Sequence, residues 1–251
     1  MQAVKEKQFT DDYQVKNLLL TQPADWYIDK ETFKKVGNSQ EKLKDFFKNN
    51  GQNNIPDLPL DSDLTEHLKN VYSIPLFSEI FCDIFKDELT NMEKHFNFNP
   101  NPEEDKLRQI PEIVLQECAP EIYGSLMQVV FAILNPIFMS LWGRVVSGGG
   151  IQVANYNLKE KKQGAWHHDS SADISVVVPL NTGDYKGGGT EFSKLGTVEP
   201  IPNGNALMFP SFTHMHRGLP IEAGDRYLLV FWLVCKNSFE DKKNFIDLDY
   251  N

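Results

Sequence analysis

Side chains able to bind a metal gather in one stretch, Trp166 to Trp232. His167 and Asp169 stand two apart in Trp166-His167-His168-Asp169. On an extended chain alternate side chains share a face, so these two look the same way and His168 looks the other. A further imidazole from a distant strand completes two histidines and one carboxylate on one side of an ion. That donor set leaves open positions for oxygen chemistry at Fe(II). His214 and His216 are themselves two apart, so spacing alone allows either as the third ligand. A lone His-X-Asp arises by chance on surface strands; joined to a distal histidine in strand-like sequence, it is far more specific.

Arg226 follows His216 by ten residues, and the intervening Pro220-Ile221-Glu222-Ala223-Gly224-Asp225 has the Pro and Gly of a chain reversal. Folding back near Ile221 puts Arg226 beside His216 on a neighbouring strand. A planar guanidinium meets a carboxylate through two parallel hydrogen bonds. Arg226 therefore suits the far end of a dicarboxylate whose keto acid end chelates the metal, and the implied ligand is 2-oxoglutarate.

With these residues the sequence resembles the Fe(II)/2-oxoglutarate-dependent oxygenases, and most of all the catalytic domain of the procollagen lysyl hydroxylases within the prolyl/lysyl hydroxylase type. The matching text is His167-His168-Asp169, Pro179-Leu180-Asn181, Gly187-Gly188-Gly189, His216-X-Gly218-Leu219-Pro220 and Gly224-X-Arg226-Tyr227. Ile74-Pro75-Leu76-Phe77-Ser78-Glu79 with Cys82-Asp83 resembles the start of that domain, so the likeness spans roughly residues 70 to 235. It selects His216 as the third ligand and leaves His214 beside the site or on the surface. It also implies that Tyr156, eleven residues before His167, reaches 2-oxoglutarate. Ser175 and Thr190 join Arg226 and Tyr156 as candidates for hydrogen bonds around the cosubstrate. Two departures fall in that cosubstrate shell: Val177 stands where the lysyl hydroxylases carry an asparagine, and Thr190 where they carry a cysteine.

The resemblance implies a dioxygenase that uses Fe(II), 2-oxoglutarate, O2 and ascorbate, forms succinate and CO2, and hydroxylates a C–H bond without a side-chain general base. The expected substrate is lysine in a collagen-like or other protein or peptide. Prolyl hydroxylation, or oxidation of a small substrate, is the alternative; collagen prolyl hydroxylases typically use a lysine where Arg226 stands. Nucleic-acid demethylases carry a second arginine six residues after the first, a position held here by Trp232. A reading from another class is a non-catalytic metal-binding barrel serving as sensor or scaffold, against which the complete ligand set argues.

Charge points the same way. A net −10 over 251 residues disfavours a nucleic-acid partner, because phosphate binding needs basic patches; it would attract a basic peptide, and it serves solubility equally well. Cys82, Cys118 and Cys235 make no CxxC pair, so reduced, buried thiols are expected. Met1 to Lys7 has no apolar stretch of the signal-peptide kind, which sets a cytoplasmic location as the expectation. The apolar run Leu126–Trp142 is interrupted by Gln128, Asn135, Pro136 and Ser140 and is shorter than the ~20 residues of a membrane span, so no membrane partner is expected. The oligomeric state is open, with a homodimer among the alternatives.

Positioning such ligands takes a barrel. From Ile151-Gln152-Val153-Ala154-Asn155-Tyr156 to Val234 the sequence alternates in short strands separated by Gly and Pro turns. The expected class is α+β, a double-stranded β-helix (jelly-roll, cupin-like barrel) with N-terminal and flanking helices and a core at about 145–236. Ser147-Gly148-Gly149-Gly150 reads as the change from helix to sheet. Amphipathic spacing predicts helices over Glu31–Asn49 and Ser78–Phe96. Ile110–Leu115 reads as a strand, followed by an apolar helix that kinks or restarts at Pro136. Asn97–Glu104 reads as a loop. Residues 1–70 are expected to form an N-terminal helical extension and 71–251 the dioxygenase domain.

Overall fold

The structure is a computed structural model that describes residues 27–36, 63–95 and 110–236. Its strands are β1 (Thr65–Leu68), β2 (Val71–Pro75), β3 (Glu112–Val114), β4 (Val146–Tyr156), β5 (Ile174–Pro179), β6 (Lys186–Gly187), β7 (Thr190–Phe192), β8 (Gly196–Val198), β9 (Asn205–Pro210), β10 (His216–Gly218), β11 (Ile221–Ala223) and β12 (Arg226–Cys235). Seven of them form an antiparallel sheet in the order β1-β2-β9-β5-β12-β4-β3. The short ladders β10-β7-β8 and β11-β6 close over one face of it, which is the expected jelly roll.

Strand parity decides what each face does. On β12, Leu229, Phe231 and Leu233 join the main core with Val176 and Val178 of β5 and Ala206 and Met208 of β9. The alternate residues Leu228 and Val230 face the other way, with Ala154 and Tyr156 of β4, and so does Arg226, which shares their parity. Both faces are therefore buried, one under helices and the other inside the barrel. This is why β12 reads as a nearly unbroken apolar run.

Helices cover the outer face of the large sheet. Ser78 Oγ accepts from Phe81 N at 3.2 Å, an N-terminal cap, and α1 (Glu79–His95) then buries Phe81, Phe85 and Leu89. Burying a Phe or Leu side chain fully is favourable by about 1.5–3 kcal/mol. A short turn at 115–118 leads into one helix, Pro120–Trp142, that buries Ile122, Leu126, Val130, Leu134, Ile137 and Phe138 against the sheet. At 23 residues it outlasts the run expected from the sequence and is long and apolar enough to cross a membrane by length and composition; here that apolar surface packs on β4, β5 and β12. As expected, α-helical structure restarts beside Pro136: the segment Asn135–Trp142 carries it in its first turn. The turn before the proline widens to a π-helical Val130–Leu134, absorbing the backbone donor that proline lacks. Asn135 then clamps β4, donating to Val146 O at 3.2 Å and accepting from Val146 N at 2.8 Å.

Three expectations change. Gly148, Gly149 and Gly150 lie within β4, paired with Val234, Leu233 and Trp232; glycine signals a break in sequence, but here it admits a close backbone, since a Cβ at Gly149 would lie 2.3 Å from Trp232 O. The boundary expected at residue 70 falls in the turn between β1 and β2, which pair with each other. Ile28 and Val36 also belong to the main core, so part of the supposed extension packs into the domain. Of the predicted helix Glu31–Asn49, residues 30–36 are helical; its remainder and the Asn97–Glu104 loop lie outside the described residues.

Candidate metal centre

His216 enters the barrel on β10, and its backbone forms an isolated antiparallel bridge with His167. His167 N donates to His216 O at 3.0 Å and His216 N to His167 O at 2.9 Å. The loop then turns at Asp169, whose carbonyl accepts from Ala172 N at 3.0 Å, before entering β5. The result brings His167, Asp169 and His216 together, with ligand atoms all within 4.8 Å of one another. His167 Nε2 lies 3.4 Å from Asp169 Oδ1, and His216 Nε2 lies 3.7 Å from Asp169 Oδ2.

Each imidazole is oriented through its other nitrogen. His167 Nδ1 donates to Ala165 O at 2.8 Å and His216 Nδ1 to His214 O at 2.9 Å. A carbonyl can only accept, so the proton sits on Nδ1 and Nε2 presents a lone pair. Burial pushes the His216 imidazole down to about 4, which keeps it a neutral ligand. Burial alone would push the Asp169 carboxyl up, but hydrogen bonding and charge from His167 and His216, with the Ser175 hydroxyl, hold it below the usual range. Two imidazole nitrogens and an ionised carboxylate gathered within 4.8 Å fit Fe(II).

Ser175, expected among the cosubstrate contacts, donates instead to Asp169 Oδ2. Its oxygen also lies 2.8 Å from Ser211 Oγ, and both serines are wholly buried. Ser211 carried no signal in the sequence; it reaches Asp169's partner only because β9 pairs with β5. His214 is buried rather than superficial: its Nε2 lies 3.0 Å from Lys69 O and its Nδ1 lies 2.9 Å from Thr213 Oγ1, while its carbonyl orients His216.

Arg226 sits at the start of β12, opposite Tyr156 on β4. It is not on a strand neighbouring His216, as the reversal near Ile221 suggested. The intervening chain forms β11 and pairs with β6, so β10 and β12 belong to different sheets. The Arg226 guanidinium carbon lies 5.3 Å from the Tyr156 ring and 5.9 Å from the Tyr185 ring. Nη1 donates to Gly189 O at 3.1 Å, while Nε is buried without a hydrogen-bond partner. Val177, Tyr185, Gly189, Thr190 and Leu228 line a cavity with Arg226. A buried cation with a free donor on a cavity wall fits the distal carboxylate of 2-oxoglutarate. Asn181 fixes the strand start, donating to Asp225 O at 2.8 Å and accepting from Tyr227 N at 2.9 Å.

Tyr156 lies between the two halves of the site. Burial raises its hydroxyl pKa, with Arg226 lowering and Asp169 raising it, so the hydroxyl is neutral. It lies so close to Gly218 that a Cβ there would come within 2.4 Å of the Tyr156 hydroxyl.

No protein-family profile matches the chain. The multifunctional procollagen lysine hydroxylase and glycosyltransferase of Caenorhabditis elegans is 27% identical over 177 residues, covering 65% of this chain and 24% of that protein. The corresponding Homo sapiens protein is 28% identical over 172 residues, covering 64% and 23%. The match thus spans about a quarter of the length of these relatives. A prolyl 4-hydroxylase from Phytophthora capsici superposes with a TM-score of 0.51 at 18% identity, covering 93% of this chain and 72% of that one. A Trichoplax adhaerens prolyl hydroxylase, solved with a hypoxia inducible factor peptide fragment, also gives 0.51 at 19% identity, covering 74% and 88%. At such identities these structures speak for the fold. The relatives correct the cytoplasmic expectation, since lysyl hydroxylases act in the lumen of the endoplasmic reticulum. What the relatives share in sequence and the solved structures share in fold meets in one barrel here: the chain is similar to procollagen lysine hydroxylases in sequence and shares the fold of the prolyl hydroxylases.

Proposed function

We propose that this chain hydroxylates a protein or peptide in a reaction dependent on Fe(II) and 2-oxoglutarate, with lysine as the residue modified. The observation that carries the reading is a His-Asp-His set within 4.8 Å in the same barrel as a buried arginine with a free donor. The lysine assignment is supported by the procollagen lysine hydroxylases with which the chain aligns. A net charge of −10 suits a basic substrate.

Each residue has a separate task. His167, Asp169 and His216 would hold the iron on one side, leaving the opposite side open. Arg226 would anchor the distal carboxylate, with Tyr156 and Thr190 nearby. Bound Fe(II) and 2-oxoglutarate would supply the chemistry that activates O2, one oxygen atom going to the substrate hydroxyl and the other to succinate, with CO2 released. Phe209 and Phe192, with ring centroids 4.7 and 5.9 Å from that of His216, exclude water from the back of the ligands. The chain itself moves no proton in this scheme, in keeping with a site that has ligands and an anchor but no nucleophile.

The test is incubation with Fe(II), ascorbate, 2-oxoglutarate and a panel of lysine- and proline-containing peptides, read by mass spectrometry for one added oxygen and by succinate release. Oxygen on lysine is the expected result. Oxygen on proline alone removes the lysine assignment, and no iron-dependent succinate at all leaves a metal-binding barrel without turnover.

A further inference from the structure

The geometry points to Tyr185 as a second donor to the distal carboxylate of 2-oxoglutarate, acting beside Arg226; this rests on the cosubstrate reading above. Tyr185 lies between β5 and β6 and is 8% exposed. Its hydroxyl is buried without a hydrogen-bond partner. A buried phenol normally finds a partner, because stripping it of water uncompensated is costly. Arg226 Nε, on the wall of the same cavity, is also buried and unpartnered. Two orphan donors facing one small space indicate an acceptor that belongs between them.

The chain has made room for this pair. Gly188 has φ +82°, and a Cβ there would come 3.0 Å from Tyr185 Cε2 and 3.5 Å from Arg226 Nε. Glycine thus lets both side chains lean over the same backbone. Elsewhere on this wall Val177 and Leu228 are apolar and have nothing to donate, and Thr190 adds one hydroxyl. Arg226 already commits Nη1 to Gly189 O, so its fork is not wholly available to both oxygens of a carboxylate. A ligand carboxylate offers about four acceptor sites, and the Tyr185 hydroxyl supplies the donor that the arginine lacks.

Tyr185→Phe removes one oxygen and leaves the ring packing in place. Binding is measured by calorimetry on the Fe(II)-loaded protein without oxygen, for wild type and variant, with 2-oxoglutarate and with pyruvate. Pyruvate shares the metal-chelating keto acid but has no distal carboxylate. The expected result is a dissociation constant for 2-oxoglutarate raised about tenfold, the loss of one hydrogen bond to a charged acceptor, with pyruvate binding unchanged. Equal 2-oxoglutarate affinity in both proteins overturns the role of Tyr185 and leaves the oxygenase reading standing. Parallel weakening toward both ligands also overturns it, since the effect would then come from a distorted barrel. Failure of the wild-type protein to bind 2-oxoglutarate overturns both.

Discussion

Arg226 and Tyr156 are register partners on β12 and β4, with the guanidinium carbon 5.3 Å from the tyrosine ring. The aromatic face softens the cost of a buried cation but supplies no carboxylate to neutralise it. The fold therefore carries a charge whose natural counterpart is a ligand, and the predictions follow the groups that hold this arrangement.

Arg226→Ala should raise the apparent requirement for 2-oxoglutarate by about 100-fold, since a charge-assisted contact in a buried site is lost. Iron binding should persist, because no metal ligand is touched. Steady-state kinetics in 2-oxoglutarate with a parallel metal titration checks both, and an unchanged KM would refute the anchoring role.

Ser175→Ala should weaken metal binding by about 10- to 100-fold, the usual effect of removing a hydrogen bond that orients a ligating carboxylate. Competitive titration with Fe(II) or Co(II) measures it. An affinity equal to wild type would mean that the Ser175–Asp169 contact does not govern the site.

Gly218→Ala should destabilise the fold by about 1–3 kcal/mol through overpacking, because the new Cβ would lie 2.4 Å from the Tyr156 hydroxyl and 2.7 Å from its Cζ. Adding Tyr156→Phe should not rescue it, since Cζ remains. Thermal denaturation of the single and double variants reads both expectations; full rescue by Phe would contradict the Tyr156 placement.

Acid should destabilise the metal-free protein over a defined window. The His216 imidazole lies at about 4 in the fold against an ordinary 6.5, so the unfolded chain takes up this proton first. Its contribution is complete above about pH 6.5 and declines as the pH falls toward about 4. The Asp169 carboxyl, also lowered, acts in the same direction at lower pH. Melting temperatures of wild type and His216→Gln across this range should converge on acidification; a constant gap between them would refute the assignment.

How much was readable in advance follows from how local each signal was. His167 and Asp169 were legible because the two-residue period of a strand is a property of the backbone. The long apolar helix and the nearly unbroken apolar runs of β5 and β12 were legible as well, each being a pattern among neighbours in sequence. Sequence by itself also determined the ligand types and the presence of a distal arginine, because the chemistry of an imidazole, a carboxylate and a guanidinium does not depend on the fold. Tertiary structure alone decided which partners those groups meet. Ser175 turned toward Asp169, Ser211 joined it across the β5–β9 pairing, and Arg226 came to lie in a different sheet from His216 because β11 had found β6. Gly148 to Gly150, a break in the one-dimensional pattern, became strand because β12 needed a close neighbour. These outcomes depend on contacts between residues far apart in the chain, and no local period encodes them.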